Sequence, residues 1–207
     1  NIKGASRTDA GVHAKGQVIA FTTRSGYSPE VFQRALNYYL PEYISIVASY
    51  KVPEGFDPRR AAHRREYRYS IYNSRTPSPL VQRYSHRIGE PLDIEAMQSA
   101  AQRLLGNHNF SPFAGAIKGN KSPRRTMYRA DVFTKGDMVL FEVEANAFLA
   151  QQVRMTVGSL IRVGTHRMSV EEFGALLEAG VPGSGGPAVP AKGLCLVRIQ
   201  YKGFPPS

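Results

Sequence analysis

The spacing of hydrophobic residues switches along the chain between two periods, and each period predicts one kind of element. In residues 66–72 the pattern alternates, so Tyr67, Tyr69 and Ile71 are expected on one face of a strand. In residues 150–164 apolar side chains recur every three or four positions, which predicts a helix. Further strands are predicted over residues 17–24, 44–50, 126–134, 138–146 and 195–201.

Turn and cap residues support these boundaries. Ser28 and Asp93 are expected to cap the start of two helices, and Ser169 with Glu172 has the spacing of a capping box. Lys135-Gly136-Asp137 predicts a hairpin between two strands. The order is then β-α-β, a linker, and β-α-β-β-α-α-β. This order favours an α+β fold, with mostly antiparallel strands and helices on one face.

Residues 53–61 separate two predicted units. They contain Pro53, Gly55, Pro58 and the paired Arg59-Arg60, a composition typical of a basic linker. We therefore expect an N-terminal unit over residues 1–60 and a C-terminal unit over residues 61–207.

The composition is unusual in its positive charge, which bears on the binding partner. The chain has 207 residues and a formal net charge of +11. Aromatic residues lie among the positive ones, which favours a nucleic-acid partner over an acidic protein or a membrane surface. A solvated basic surface is the alternative. One cluster consists of Arg59, Arg60, His63, Arg64, Arg65 and Arg68, and the other of Lys118, Lys121, Arg124, Arg125 and Arg129.

Several other classes are disfavoured by the sequence. No apolar run has the length of a transmembrane helix, and no segment resembles a signal peptide. Cys195 is the single cysteine and cannot form an internal disulfide, which fits a reducing cytosol. Its place in an alternating strand predicts a core thiol and not a nucleophile. No metal-ligand spacing is present in the sequence.

The segment with the most chemistry is residues 4–17, where Arg7, Asp9 and His13 lie among three glycines. Glycines permit tight turns and close approach of a ligand to the backbone. Asp9 is therefore either a turn-capping residue in a surface ion pair or a catalytic carboxylate. Arg154, at the margin of the predicted helix, is either a cation that extends to solvent or one aimed into a site.

The string from Arg7 to Gln17 closely resembles the motif loop of TruA-type tRNA pseudouridine synthases. The likeness continues, in the same order, over nearly the whole chain. It includes Tyr67-Arg68-Tyr69, residues 106–113, Asn146-Ala147-Phe148, Val153-Arg154, residues 157–160 and Gly193-Leu194.

This resemblance implies isomerisation of uridine to pseudouridine at positions 38 to 40 of the tRNA anticodon stem-loop. It also implies a cytoplasmic homodimer that needs no metal or organic cofactor. Two related ferredoxin-like halves would share a long, mostly antiparallel sheet around a central basic catalytic cleft. Members usually have a leading strand and helix before the motif loop, so the first half-domain is expected to be incomplete at its start.

The resemblance also implies roles for individual residues. Asp9 matches the catalytic carboxylate, which could attack the sugar, attack the base or remove a sugar proton. Arg154 matches its arginine partner, and Tyr67 the tyrosine that stacks on the target base and could act as a general base. Arg7 matches the arginine that helps to displace the base, and Phe148 is expected in the base pocket with Tyr67. The expected RNA-binding residues are Arg7, His13, Arg64, Arg65, Arg68, Arg124 and Arg125, although a structural role is favoured for His13.

Three other functions compete with this one. A non-catalytic RNA-binding protein or tRNA chaperone would use the same basic and aromatic residues. A nucleoside hydrolase would be expected to have two cooperating carboxylates, whereas the motif loop offers only Asp9. A relative that modifies another RNA position is the alternative that the sequence separates least well.

Overall fold

One long strand, residues Ala62–Asn73, organises the largest sheet of the protein. The computed structural model describes residues 2–115 and 122–204, so Lys118 and Lys121 lie outside the described residues. The strands are β1 (Ile2–Gly4), β2 (His13–Ala14), β3 (Ile19–Phe21), β4 (Ala62–Asn73), β5 (His86–Ile88), β6 (Gly106–Asn109), β7 (Arg124–Lys135), β8 (Met138–Ala145) and β9 (Leu194–Tyr201). The helices are α1 (Pro29–Tyr39), α2 (Pro58–Ala61), α3 (Ile94–Gln102), α4 (Gln152–Gly164) and α5 (Val170–Ala179).

Seven strands form the main sheet in the order β2-β9-β4-β8-β7-β6, with β5 attached to β4. The β9, β4, β8, β7 and β6 pairings are antiparallel, whereas β2 on β9 and β5 on β4 are parallel. The prediction of an α+β fold with a mostly antiparallel sheet is therefore confirmed.

The predicted alternation in β4 decides which face of the sheet carries the core. Tyr69 and Ile71 are fully buried, and Tyr67 is nearly so. They belong to one apolar cluster with residues of α3, α4 and α5, among them Met97 and Leu160. The intervening residues of β4 point to the opposite face, as predicted. Helices thus cover one face of the sheet.

The local capping chemistry agrees with the sequence in most places. The Asp93 side chain accepts a hydrogen bond of 2.9 Å from the Ala96 amide, and both bonds of the Ser169–Glu172 capping box are formed. Gly136 has φ 58° in the turn between β7 and β8, as the predicted hairpin requires. Ser28 precedes α1 as predicted, but its side chain makes no capping bond.

The prediction of a strand over residues 44–50 is wrong. Side-chain amides of α1 bind this segment instead: Asn37 both donates to the Ile46 carbonyl and accepts from its amide, and Gln33 donates to the Val47 carbonyl. Since these backbone groups are satisfied locally, they need no neighbouring strand. The strand predicted at 17–24 is shortened to β3, which pairs with β1 in a separate two-stranded sheet.

Cys195 is half-buried, so the prediction of a core thiol is corrected. The register of β9 against β4 shifts between Glu66 and Tyr67, and the flanking Leu194 and Leu196 are the buried residues there. A strict alternation from residue 195 to 201 misses this bulge.

Two further expectations concern the chain as a whole. The division into units 1–60 and 61–207 stays a prediction. Among the described residues, no helix is both long and apolar enough to cross a membrane.

Candidate active site

The loop between β1 and β3 is closed at its base by hydrogen bonds between its two ends. At its base, the Ala5 amide donates to the Val18 carbonyl at 2.9 Å. The Gln17 side chain binds Ser6 twice, since its amide donates to the Ser6 carbonyl and its oxygen accepts from the Ser6 amide. These contacts fix the backbone directly before Arg7 and Asp9. We call residues 4–17 the motif loop.

The other side of the motif loop rests on β9. His13 and Ala14 pair with Cys195 and Leu196, and the amide of Lys15 donates to the Leu196 carbonyl at 2.8 Å. Gly16 lies against the backbone of β9, where an added Cβ would come within 2.9 Å of the Arg198 Cα. Glycine is needed there because any side chain would push the loop away from the strand.

Asp9 and Arg154 form an ion pair at the tip of the motif loop. The Arg154 Nη1 donates to Asp9 Oδ2 at 2.7 Å. The Asp9 side chain is 40% exposed and that of Arg154 only 15%. A ligand can therefore reach the carboxylate from solvent, while its cationic partner is mostly buried.

The position of Arg154 follows from its place near the start of α4. Its Nε donates to the Val189 carbonyl at 2.7 Å, and the Val189 amide donates back to the Arg154 carbonyl at 3.3 Å. These two bonds fasten the segment before β9 to the helix. With Nε engaged in this way, the guanidinium has its Nη1 edge directed at Asp9.

Tyr67 is also tied to the motif loop. Its hydroxyl lies 2.9 Å from the Ser6 Oγ, and its ring packs edge-to-face on Phe148 with the centroids 5.1 Å apart. Burial raises the pKa of Tyr67 above its usual value. The Ser6 hydrogen bond and the Arg65 charge lower that pKa in part, and the negative charge of Asp9 raises it further. The phenol is therefore neutral at physiological pH.

A cavity of about 100 Å³ opens beside Tyr67. It brings together four of the residues singled out from the sequence: Arg7, Arg65, Tyr67 and Phe148. The remaining lining residues are Ala5, Ser6, Arg59, Ala147 and Leu149. The mixture of an aromatic ring, apolar atoms and arginines suits a flat heterocycle that is attached to an anionic backbone.

Arg64 and Arg68 are not part of this site. They lie on the face of β4 opposite to Tyr67 and pair with nearly buried glutamates: Arg64 with Glu144 at 2.7 Å, and Arg68 with Glu142. The Arg64 guanidinium also lies over the Tyr128 ring. The basic cluster seen in the sequence is therefore divided between the two faces of the sheet.

The other expected RNA-binding residues are engaged in local contacts. His13 lies 3.0 Å from the Arg83 carbonyl and packs on the Tyr84 ring, so its observed role is to anchor the neighbouring loop. Arg124 donates to Asn107, whereas Arg125 donates to backbone carbonyls and is half-buried. Burial lowers the pKa of Arg125.

Sequence reasoning missed several parts of the site. Ser6, which contacts Tyr67, stands directly before the motif string, and its hydroxyl was the available signal. Arg59 was counted in the basic linker and in the first basic cluster but not in the site, yet it lines the cavity. The carbonyl of Val189, which orients Arg154, leaves no trace in the sequence because any residue would supply it.

Within residues 2–115 and 122–204, no three His, Cys, Asp or Glu side chains come together in a way that could hold a metal ion. The chemical groups available at the site are a carboxylate paired with a guanidinium, a buried phenol and a cavity lined by arginines.

Comparison with known proteins places this arrangement in context. A family model described as tRNA pseudouridine synthase matches residues 1–59 and 100–202. A protein named tRNA pseudouridine synthase A from Moorella thermoacetica is 42% identical over 197 residues, covering 95% of this chain and 80% of the relative. One of the same name from Roseiflexus castenholzii is 44% identical over 203 residues, covering 95% of this chain and 74% of the relative. A third, from Myxococcus xanthus, is 38% identical over 208 aligned positions, covering 100% of this chain and 78% of the relative.

Proposed function

This chain belongs to the tRNA pseudouridine synthase family, and we propose that it isomerises uridine to pseudouridine at positions 38 to 40 of the anticodon stem-loop of tRNA. The observation that carries the proposal is the Asp9–Arg154 ion pair beside a phenol that is tied to the same loop. The family supports tRNA as the substrate, whereas the choice of positions rests on the resemblance in the motifs.

The reaction needs a charged carboxylate near the sugar of the target nucleotide. When RNA covers the site and excludes water, Asp9 would lose solvation, which is costly for a charged group. The guanidinium of Arg154, hydrogen-bonded to the carboxylate at 2.7 Å, offsets this cost. We assign Asp9 as the catalytic carboxylate and Arg154 as its partner.

The isomerisation balances without a co-reactant. The C1′–N1 bond breaks, and its electrons remain on the uracil ring. The base then turns so that C5 faces C1′, a C1′–C5 bond forms, and the hydrogen on C5 leaves as a proton while N1 gains one. Tyr67 is assigned to hold the ring of the base and to stand near the proton that C5 loses. Water must stay out, because it would trap the separated sugar.

The remaining cations are assigned to RNA binding. Arg7, a residue of the motif loop, lines the cavity, and we assign it to displace the target base from its stack. His13, Arg64, Arg65, Arg68, Arg124 and Arg125 would contact other parts of the tRNA. Because phosphate contacts release counterions, tRNA affinity should fall about 10³-fold between 50 and 200 mM salt.

We further propose that the protein works as a cytoplasmic homodimer in which residues 1–60 carry the catalytic loop and residues 61–207 complete the cleft. The family resemblance supports the dimer. Sedimentation or light scattering at the working concentration tests it directly, since a monomer with full activity would contradict it.

The position of modification is tested by mapping pseudouridine on an unmodified tRNA transcript. Pseudouridine reacts with a carbodiimide and then stops reverse transcription one residue before the modified base. We expect stops for uridines at positions 38 to 40 after incubation with the wild-type protein, and none after incubation with Asp9→Asn. Stops at other uridines would indicate a relative with another target. Binding without any stop would support the RNA-chaperone alternative.

A further inference from the structure

Arg65 is a buried cation for which residues 2–115 and 122–204 provide no carboxylate partner. Its side chain belongs to a residue that is only 9% exposed. The ion pairs found in the described part of the chain do not include it, although Arg64 and Arg68 on the same strand are both paired. A buried charge that lacks an opposite charge is costly, so its presence calls for an explanation.

Part of the explanation is hydrogen bonding to the backbone. Arg65 Nη1 donates to the carbonyls of Ala62 and Asn146 at 2.9 and 2.7 Å, and Nη2 donates to the Arg59 carbonyl at 2.7 Å. A guanidinium has five N–H donors, so two remain for another acceptor. The three bonds fix the plane of the group but leave its charge uncompensated.

The cavity next to Arg65 is lined by further positively charged residues. Arg7 and Arg59 line the same cavity as Arg65, and none of the lining residues is an aspartate or a glutamate. Burial lowers the pKa of Arg65, and the nearby charge of Arg59 acts in the same direction. The charges of Arg59 and Arg65 therefore oppose each other in the free protein, and an anion in the cavity would relieve that repulsion.

We propose that this cavity is a subsite for one phosphodiester group of the substrate RNA, adjacent to the target uridine. The inference rests on the proposed function, because the cavity shares Tyr67 and Phe148 with the expected base pocket. Arg65 is the fixed donor, since its orientation is set by three carbonyls. Arg59 is an exposed donor that reaches the phosphate from the solvent side. Guanidinium groups suit this ligand because their paired N–H groups match two phosphate oxygens.

The neighbouring residue Arg60 provides a matched control. The backbone amides of Arg59 and Arg60 both donate to Asp57 Oδ1, at 2.9 and 3.0 Å, and both side chains are exposed. Only Arg59 lines the cavity. Arg59→Gln and Arg60→Gln therefore remove the same charge from the same short helix, and only the first removes a residue that lines the proposed subsite. Neither substitution removes the carbonyl that holds Arg65.

The first experiment measures the affinity of both variants for an anticodon stem-loop RNA as a function of salt. We expect Arg59→Gln to bind about tenfold more weakly at low salt. The slope of log K against log salt should become shallower by about 0.7 to 0.9, the value for one lost phosphate contact. Arg60→Gln should stay near the wild type in both quantities. Equal losses in the two variants would overturn the proposal, because a diffuse basic surface makes no distinction between them.

The second experiment locates the phosphate. Single phosphodiesters on either side of the target uridine are replaced, one at a time, by uncharged methylphosphonates. We expect one linkage whose replacement weakens binding to the wild type about tenfold and weakens binding to Arg59→Gln clearly less, because only the contact with Arg65 remains to be lost in that variant. If every replacement costs the variant as much as it costs the wild type, no subsite exists at Arg59.

These readouts separate the subsite from the proposed function. Both measure binding and do not depend on turnover. A wild-type protein that binds the stem-loop without isomerising it would contradict the proposed activity, yet the comparison of Arg59→Gln with Arg60→Gln would still decide whether the subsite exists. Thermal unfolding of both variants shows whether either substitution has disturbed the fold.

Discussion

The guanidinium of Arg154 lies 2.7 Å from the carboxylate of Asp9, a residue 145 positions away along the chain. One partner stands on a loop fastened to β9 and the other on the first turn of α4. The pair therefore forms only when the motif loop, the helix and the segment around Val189 are all in place. In this way the tertiary structure brings the two charged groups of the site together.

Replacing Arg154 tests this relationship. Arg154→Ala removes both the partner of Asp9 and the bond to the Val189 carbonyl. We expect turnover at saturating tRNA to fall about 10- to 100-fold, the loss that corresponds to a charged hydrogen bond. RNA affinity should change much less, because Arg154 faces the carboxylate. Arg162→Ala, at an exposed position on the same helix, is the control. Unchanged turnover in Arg154→Ala would reject the pairing as catalytic.

The hydrogen bond between Ser6 and Tyr67 is tested by a double-mutant cycle. If Ser6 acts by positioning the Tyr67 hydroxyl, Ser6→Ala should slow turnover about 3- to 10-fold while RNA binding is kept. Tyr67→Phe should slow turnover at least as much. The double variant should be no slower than Tyr67→Phe alone, since the hydroxyl that Ser6 positions is already absent. Multiplying losses would show that the two residues act independently, and recovery in Ser6→Thr would support the positioning role.

The contact of the motif loop with β9 predicts a stability effect at Gly16. A Cβ at this position would collide with the Val197 carbonyl and lie within 2.9 Å of the Arg198 Cα. We expect Gly16→Ala to lower the free energy of unfolding by about 1 to 3 kcal/mol, and to reduce turnover because the displaced loop carries Asp9. Gly26→Ala is a suitable control, since no atom lies within 4 Å of its added Cβ. Urea unfolding of both variants measures the difference.

The charged face of the sheet predicts a pH-dependent stability. Arg129 donates to Glu66 and Glu142 at 2.6 and 2.7 Å. Burial alone would raise the pKa of Glu142, but the hydrogen bonds from Arg129 and Arg68 outweigh it, so the pKa is lower than the usual 4.5. A lowered pKa contributes stability that is complete above the unfolded value and is lost as the pH falls through the folded one.

Arg129→Ala should therefore lower the free energy of unfolding by about 1 to 3 kcal/mol at pH 7. The difference from the wild type should shrink as the pH falls below 4.5, where protonated glutamates no longer need the cation. Lys135→Ala, at the exposed end of the same strand, should change little. A difference between Arg129→Ala and the wild type that is constant from pH 7 to 3 would show that the loss comes from packing and not from charge.

Local patterns predicted the parts of the fold that depend on neighbours in sequence. The alternation around Tyr69 identified the core face of β4, and the spacing of Ser169 and Glu172 identified a helix start. The strand predicted at residues 44–50 is absent because contacts from another element decide the structure there. Its apolar residues are typical of a strand, but the deciding contacts come from Asn37 and Gln33 on a helix.

Only part of the candidate site could be predicted from the sequence. The motif string identified Asp9, and the resemblance suggested Arg154 and Tyr67, but neither could reveal the Ser6 hydroxyl beside Tyr67. The difference between Arg64 and Arg65 was also hidden. Adjacent residues of a strand point to opposite faces, so one arginine pairs with Glu144 while its neighbour lines the cavity. Arginines that are adjacent in the sequence therefore lie on different faces of the sheet here.

The most direct test of the account is tritium release from unmodified tRNA labelled with 5-³H-uridine. Formation of the C1′–C5 bond must expel this hydrogen, so the signal reports isomerisation and not binding. We predict release by the wild-type protein, no release above background by Asp9→Asn, and equal tRNA affinity for the two proteins at the same salt concentration. Asp137→Asn, an exposed carboxylate in the β7–β8 turn, should behave as the wild type. Release by Asp9→Asn at the wild-type rate would contradict the central claim that Asp9, held by Arg154, is the catalytic carboxylate.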